Sequence, residues 1–296
     1  MRPSLRLTIP LAILALMPLV PSSAAEDAPL RIIVFGAHPD DCEYVAAGTG
    51  AKWAAKGHAV KFVALTNGDV GHFAMAGGPL ARRRAAELAK CGKILGLTSV
   101  ALDNHDGELM PTLENRKAVV RLIREWRADI VISHRPNDYH PDHRYTGVLV
   151  QDTAYLVTVP HFCSDTPHLP ENPIYLYCDD KFLKPAPFAA DIAVAIDDTI
   201  QKKIDCFDAL ESQFYEGGCN ATADTVPGDA AGKAARRKKV LDELRAAFGS
   251  KAEKFRKQLE KRYGKKAAKI EYAEGFELCE YGRQPTPEEL DKLFPL

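Results

Sequence analysis

The sequence has almost no net charge, and it lacks the cysteine pattern of a thiolate metal site. Lysine and arginine number 39 against 40 aspartate and glutamate residues, so no overall field favours nucleic acid or a membrane surface as a partner. Its seven cysteines are scattered without any Cys-x-x-Cys pair, which argues against zinc held by thiolates. The remaining composition is that of a globular protein with one large domain or two small ones.

Long hydrophobic runs are missing except at the N-terminus. There, Arg2 and Arg6 precede an apolar run that closes on small residues, with Ser23 and Ala25 at suitable −3 and −1 positions for cleavage. This pattern predicts a signal peptide over residues 1–25 and a secreted or periplasmic protein. The alternative is a retained membrane anchor, but the run is shorter than the roughly 20 residues that span a bilayer. We therefore expect no stable membrane span after cleavage, and an exported chain permits a disulfide within Cys163–Cys219.

Apolar runs alternate with helical patterns in the first half of the chain. The runs with strand character are Ile32–Phe35, Val60–Leu65, Val100–Leu102 and Ile130–Ser133. The stretches with helical character are Tyr44–Lys56, Leu80–Leu95 and Leu113–Arg127. This alternation predicts an α/β, Rossmann-like fold over residues 30–296, with a mostly parallel sheet and helices on both faces. In such sheets the functional site lies beyond the carboxyl ends of the strands.

Two polar loops follow predicted strands and should share that edge. "AHPDD" follows the first strand, and "SHRPNDYHPDHRYTG" follows the fourth. His38, Asp41 and His143 supply two imidazoles and a carboxylate, the ligand set of a catalytic zinc site with an open position. A bound dication also removes the repulsion between Asp40 and Asp41. Either motif alone is typical of a helix cap or a buried histidine, whereas the pair predicts a metal centre.

These motifs resemble those of the PIG-L/LmbE-type zinc-dependent N-deacetylase family. The likeness extends to "ARRRAAELAKCGKILGL" (81–97), "DDTIQKKIDCFDALESQ" (197–213) and "YAEGFELCEYGR" (272–283). The resemblance implies a hydrolase that removes an acyl group, with acetyl expected, from the nitrogen of an N-acetylated amino sugar or related conjugate, and the predicted signal peptide makes it an exported one. It implies Zn²⁺ or another divalent transition metal, and a small-molecule or glycan substrate.

Residue roles follow from the resemblance at the matching positions. The implied metal ligands are His38, Asp41 and His143. The implied catalytic residues are Asp40 as general base, His140 as the group that stabilises the oxyanion or protonates the leaving amine, and Asp142 as the residue that orients His140. Arg84 best matches the substrate-binding arginine, with Arg82 and Arg83 as alternatives.

Asp106 is assigned from its position in "HDGEL", which follows the third predicted strand. It could contact a sugar hydroxyl, or the Asp-Gly pair could simply mark a turn. Two departures from the family pattern accompany these assignments. Leu210 replaces a histidine before Ser-Gln, and Cys42 separates the Asp-Asp pair from Glu43.

The segment 228–269 is basic, with apolar residues at helical spacing, and we interpret it as an insertion of amphipathic helices. Its basic faces are expected to be solvated; the alternative is a lid or a docking face for an acidic partner or polymer. It lacks interleaved aromatics, which argues against nucleic acid. The alternatives to an N-deacetylase are hydrolysis of another amide and a noncatalytic carbohydrate-binding protein. The sequence predicts no oligomeric state.

Overall fold

A seven-stranded sheet organises residues 28–296, the part of the chain that the computed structural model describes. The strands are β1 (Arg31–Gly36), β2 (Ala59–Thr66), β3 (Thr98–Asn104), β4 (Ile130–Ser133), β5 (Ile174–Cys178), β6 (Ile192–Ala195) and β7 (Ala273–Gly282). Their order is β3-β2-β1-β4-β5-β7-β6, with β1 to β5 paired in parallel and β7 antiparallel to both of its neighbours. The predicted fold class is confirmed. The predicted signal peptide lies outside the described residues.

Helices connect the strands and cover the sheet. They are α1 (Asp41–Ala55), α2 (Gly77–Leu95), α3 (Leu113–Trp126), α4 (Pro141–Leu156), α5 (Ile200–Ala209), α6 (Glu211–Phe214), α7 (Ala230–Lys254), α8 (Arg256–Tyr263) and α9 (Pro287–Leu293). The four predicted strands and three predicted helices of the first half are confirmed, with ends shifted by at most three residues. Across residues 28–296, no helix is both long enough and apolar enough to cross a bilayer.

Both faces of the sheet are buried, as expected for parallel strands that read as continuous apolar runs. Alternate residues of β1 point to opposite faces. Ile32 and Val34 belong to a core that includes residues of α1, α2, α5 and α7, whereas Ile33 and Phe35 pack with α3 and α4. The strands next to the site are therefore held from both sides.

The chain reverses its direction of winding between β1 and β4. These two strands are hydrogen-bonded neighbours, with Ile32 opposite Ile130, while β2 and β3 extend the sheet on one side and β5 on the other. Such a switch point leaves a crevice at the carboxyl ends of the two central strands. The loops that carry the two sequence motifs directly follow these two strands.

The basic segment contributes to the core as well as to the surface. Val240, Leu244 and Phe248 of α7 are buried in the main core, and Phe255 and Leu259 belong to a smaller cluster beneath α8. The amphipathic helices predicted for this segment are confirmed. That the segment is an insertion relative to the family stays a prediction.

All seven cysteines are free thiols in the structure. The bridge considered within Cys163–Cys219 is therefore absent, since Cys163, Cys178, Cys206 and Cys219 are all unpaired. The buried thiols pack as small apolar side chains.

Candidate active site

The candidate site forms where the loops after β1 and β4 run directly into helices. α1 begins at Asp41, and α4 begins at Pro141, which occupies the first helical turn. Proline suits that position because the backbone N–H it lacks would have no partner there. The two loops consequently present side chains at two helix N-termini, which favour negative charge.

Three donor atoms of the predicted metal ligands face one another, and we call them the donor triangle. His38 Nδ1 lies 3.2 Å from His143 Nε2, and Asp41 Oδ2 lies 3.5 Å from the former and 3.4 Å from the latter. Ligand atoms about 2.0–2.2 Å from a tetrahedral metal are separated by about 3.3–3.6 Å. The donor triangle thus has the size and the chemistry that a zinc-like ion requires.

Asp41 is oriented by its own loop. Its Oδ2 accepts hydrogen bonds from the backbone N–H groups of Ala37 (2.9 Å) and His38 (2.8 Å). Burial would raise its pKa, but the neighbouring His143 and His134 outweigh burial and hold that pKa well below the usual range. Asp41 is therefore an ionised carboxylate in a fixed position, as its predicted role as a metal ligand requires.

His38 contacts two carboxylates on the side of its ring that faces away from the donor triangle. Its Nε2 lies 3.2 Å from a carboxylate oxygen of Asp142 and 3.2 Å from one of Asp106. Burial opposes charge on the ring, yet contacts with Asp106, Asp142 and Asp41 raise the pKa of His38 to about 12. This local field is strongly negative, and it favours a bound cation.

The structure corrects the predicted partner of Asp142. Its buried carboxylate contacts His38 and accepts hydrogen bonds from the backbone N–H groups of Gly107 (2.7 Å) and Leu109 (3.3 Å). Its contact with His140 runs instead through the Asp142 backbone N–H, which donates to His140 Nδ1 at 3.2 Å. The physical reason is the start of α4, which makes His140 the N-cap and turns the Asp142 side chain inward.

Asp40, the predicted general base, lies directly before α1. It occupies the N-cap position of α1, but its side chain makes no capping hydrogen bond. Burial and the charge of Asp41 raise the pKa of Asp40 to about 6, while the Arg84 guanidinium acts in the opposite direction. A raised pKa makes a carboxylate a better proton acceptor. Its role as the general base stays a prediction.

His140 lies against the donor triangle without being part of it. Its ring stands edge-on to that of His38, with centroids 4.6 Å apart. Burial, together with His38 and His143, lowers the pKa of His140. The structure brings it beside the predicted ligands, as its predicted role requires.

Arg84 is distinguished from its two neighbours by burial. It is 2% exposed, donates from Nη2 to the Gly71 carbonyl at 2.6 Å and bonds to the Gln213 side chain. Its Nε is buried without a partner among the described residues. Arg83 instead forms a bidentate pair with Glu216, and Arg82 is exposed. Burial thus separates Arg84 from Arg82 and Arg83, and its role as the substrate-binding arginine stays a prediction.

Asp106 contacts His38, so its side chain belongs to the site and does not merely mark a turn. A Cβ added to Gly71 would lie 3.0 Å from both Asp106 Oδ2 and Arg84 Nη1, so these two side chains flank the same glycine. The other carboxylate oxygen contacts His38. That Asp106 contacts a sugar hydroxyl stays a prediction.

Two residues of the site were missed by the sequence analysis. His134 Nε2 lies 3.3 Å from Asp41 Oδ2, and its ring stacks on that of His143 with centroids 4.3 Å apart. Asp138 Oδ2 lies 3.3 Å from His143 Nδ1. Each predicted imidazole ligand thus has a carboxylate on its second nitrogen, a common arrangement at metal sites. The position of His134, directly after the last residue of β4, was the sequence feature that could have indicated its place in the site.

The two departures from the family pattern have structural explanations. Leu210 is fully buried in the main core, so its position offers no polar contact. The neighbouring Ser212 and Gln213 bond to Glu87 and Arg84 respectively. Cys42 is buried and its thiol donates to the Val34 carbonyl at 3.4 Å, within the sheet.

Comparison with known proteins identifies relatives of the first half of the chain. Residues 33–154 match the family model described as "PIG-L: GlcNAc-PI de-N-acetylase". The chain is 36% identical over 138 residues to the diacetylchitobiose deacetylase of Thermococcus kodakarensis, covering 45% of this chain and 52% of that protein. It is 32% identical over 140 residues to the Bacillus anthracis protein described as "Probable N-acetyl-alpha-D-glucosaminyl L-malate deacetylase 2", covering 44% and 61%. The chain thus spans about half the length of the curated relatives it matches.

Solved structures share the fold over most of the chain. The N,N'-diacetylchitobiose deacetylase of Pyrococcus horikoshii has a TM-score of 0.63 at 24% identity, covering 84% of this chain and 83% of that one. GalB of Pseudomonas putida KT2440, a 4-carboxy-2-hydroxymuconate hydratase, has a TM-score of 0.67 at 18% identity, covering 86% and 98%. The same fold therefore occurs in proteins of different activity, so the chemistry must be argued from the site.

Proposed function

We propose that the chain is a metal-dependent hydrolase of an N-acetylated amino sugar or a related conjugate, because residues 33–154 match the PIG-L family model and the curated relatives of this part of the chain are deacetylases. The reaction adds water to the amide carbonyl, breaks the C–N bond and releases acetate and a free amine. The observation that carries the proposal is the donor triangle, with Asp40 and His140 beside it.

His38, Asp41 and His143 would hold a divalent transition metal, for which their ligand set and spacing favour zinc. When bound, such an ion polarises a carbonyl and lowers the pKa of water. The carboxylates behind the two imidazoles keep each ring in the orientation that the donor triangle needs.

The remaining steps belong to the side chains around the donor triangle. Asp40 accepts the proton of the attacking water. His140 stabilises the developing oxyanion or supplies a proton to the leaving nitrogen, which would otherwise depart as a poor leaving group. Arg84 and Asp106 flank the same glycine and bind the polar groups of the sugar.

Acetate release from a panel of N-acetylated sugars, measured with and without a chelator, tests the proposal. We expect release that stops on chelation and returns when zinc is added back. Release only from non-sugar amides would favour a different amidohydrolase with the same site. Binding of the sugars without release would favour a noncatalytic carbohydrate-binding protein.

Export is a separate part of the proposal, and it depends on the N-terminal pattern. A signal peptide over residues 1–25 leaves Glu26 as the first residue of the mature protein. Expression of the full chain in a bacterial host, followed by fractionation and intact-mass measurement, tests this. Recovery of the uncleaved chain in the membrane fraction would instead favour a retained anchor.

A further inference from the structure

Apolar side chains border the candidate site beside His140, and we call the exposed Tyr139 and Leu183, together with the half-buried Phe182, the apolar rim. Tyr139 is 71% exposed, although its ring centroid lies 5.7 Å from that of His140 and 5.9 Å from that of His143. The Phe182 ring lies 6.2 Å from the Tyr139 ring. Leu183, the next residue, is 73% exposed. The apolar rim therefore adjoins the site through Tyr139, with Phe182 beside that ring and Leu183 next in the chain.

The loop that carries Phe182 and Leu183 is held in place by a buried arginine. Arg135 directly follows His134, is 8% exposed, and forms a bidentate pair with Asp180 at 2.6 and 2.7 Å. Its guanidinium also donates to the Phe182 carbonyl at 3.0 Å and to the Ala186 carbonyl at 2.8 Å. The loop after β4, which leads to the predicted ligand His143, thus also fixes the position of Phe182 in the apolar rim.

An exposed apolar surface next to a polar site usually contacts a ligand or a partner. Exposed apolar side chains gain nothing from their position in the folded monomer, because water still covers them. An aromatic ring fixed beside the site offers a flat face for an apolar group.

Taking N-deacetylation as the reaction, we infer that the apolar rim binds an apolar aglycone, alkyl or aryl, carried by the sugar whose N-acetyl group lies at the donor triangle. The acyl group must lie beside the donor triangle, among side chains that are largely buried, such as Asp142 at 0% exposed. The open apolar rim suits a part of the substrate that extends away from the reacting bond. The aglycone is such a part.

Two glycosides of N-acetylglucosamine test this inference, one with a methyl aglycone and one with an aryl aglycone. We expect the kcat/KM of the wild-type protein to be about tenfold higher for the aryl glycoside than for the methyl glycoside. A tenfold change corresponds to the free energy of one good aromatic contact together with the apolar area that it buries. The ratio of the two values is the readout, so a change that affects both substrates equally does not count. Absence of acetate release from both glycosides would reject the proposed function itself.

Variants of the apolar rim locate the preference. Tyr139→Ala and Leu183→Ser should reduce the ratio towards one, whereas Tyr139→Phe should retain it because the ring remains. Tyr155→Ala is the matched control, since Tyr155 is also 71% exposed but lies on α4 as a surface residue outside the apolar rim. We expect it to leave the ratio unchanged.

Three outcomes would overturn the inference while leaving the proposed function intact. One is an aryl-to-methyl ratio near one in the wild-type protein. The second is a raised ratio that survives both Tyr139→Ala and Leu183→Ser. The third is a preference in which kcat/KM follows the length of the N-acyl chain rather than the aglycone, with both rim variants affecting only long-chain amides.

Discussion

The two halves of the protein use their charged residues differently. In residues 30–157, three carboxylates converge on one imidazole, since Asp41, Asp106 and Asp142 all lie within 3.5 Å of a ring nitrogen of His38. In residues 158–296, most charged groups with described contacts lie in opposite-charge pairs, such as Lys203 with Glu274 and Arg237 with Asp208. Like charges that converge on one point indicate a bound ion of opposite charge, whereas pairs of opposite charge indicate contacts that stabilise the fold.

Support from the second half reaches the helix that begins at Asp41. Glu274 of β7 is 1% exposed and accepts hydrogen bonds from the N–H groups of Gly48 (3.0 Å) and Thr49 (2.7 Å) in α1. Lys203 of α5 donates to Glu274 at 2.6 Å and to the Tyr44 carbonyl at 2.7 Å. The second half thus helps to fix α1, although it contributes none of the donor-triangle atoms.

Removing a ligand from the donor triangle should have the largest effect. We expect His38→Ala or His143→Ala to lose the bound metal and to lower kcat/KM by at least about 1,000-fold. Metal content by mass spectrometry and acetate release measure the two losses together. His161→Ala, an exposed histidine outside the site, is the control. A double variant that retains stoichiometric zinc would show that the metal binds elsewhere.

Replacement of each of the two adjacent aspartates by asparagine should separate the loss of catalysis from the loss of bound metal. Asp40→Asn should keep the metal but reduce turnover by about 100- to 10,000-fold, because an amide cannot accept the water proton. Asp41→Asn should reduce metal content instead. Metal titration and single-turnover acetate release distinguish the two. The opposite pattern would mean that the two assigned roles are reversed.

Breaking the buried pair beneath α1 should affect stability more than chemistry. Glu274→Gln leaves Lys203 buried without its counter-charge, and we expect the free energy of unfolding to fall by about 3–5 kcal/mol. Lys238→Ala, which breaks an exposed pair with Asp242, should change it by less than about 1 kcal/mol. Denaturant unfolding measures both. Equal losses would contradict the supporting role of the buried pair.

Charge reversal on α7 should have the smallest effect, and it should depend on position. Arg237 bonds to Asp208, which lies five residues before Gln213, the partner of Arg84. Lys239, by contrast, is largely exposed. We expect Arg237→Glu to raise KM by at most about fivefold and Lys239→Glu to leave it unchanged, at any salt concentration. A salt-dependent loss in Lys239→Glu with a large acidic substrate would instead favour a docking face.

The elements of the first half were predictable because each carries its own local signal. Apolar runs such as Ile130–Ser133 are strands in the structure as well, and the motifs directly after β1 and β4 lie together at the sheet edge. His134 and Asp138 were not predicted, since their roles depend on which side of His143 and Asp41 they occupy in space. Local sequence carries no such information.

The sequence by itself determined the parallel strands β1 to β4, the sheet edge at which their polar loops lie, and the proximity of His38, Asp41 and His143. Hydrophobic periodicity and strand-end position decide these features, because parallel strands place their carboxyl ends at one edge. Only the tertiary structure decided that the carboxylate of Asp142 faces His38 rather than His140 and that Arg84 is the buried arginine of its three. Those outcomes depend on contacts between residues distant in sequence, such as Gly107 with Asp142 and Gln213 with Arg84, which no local pattern encodes.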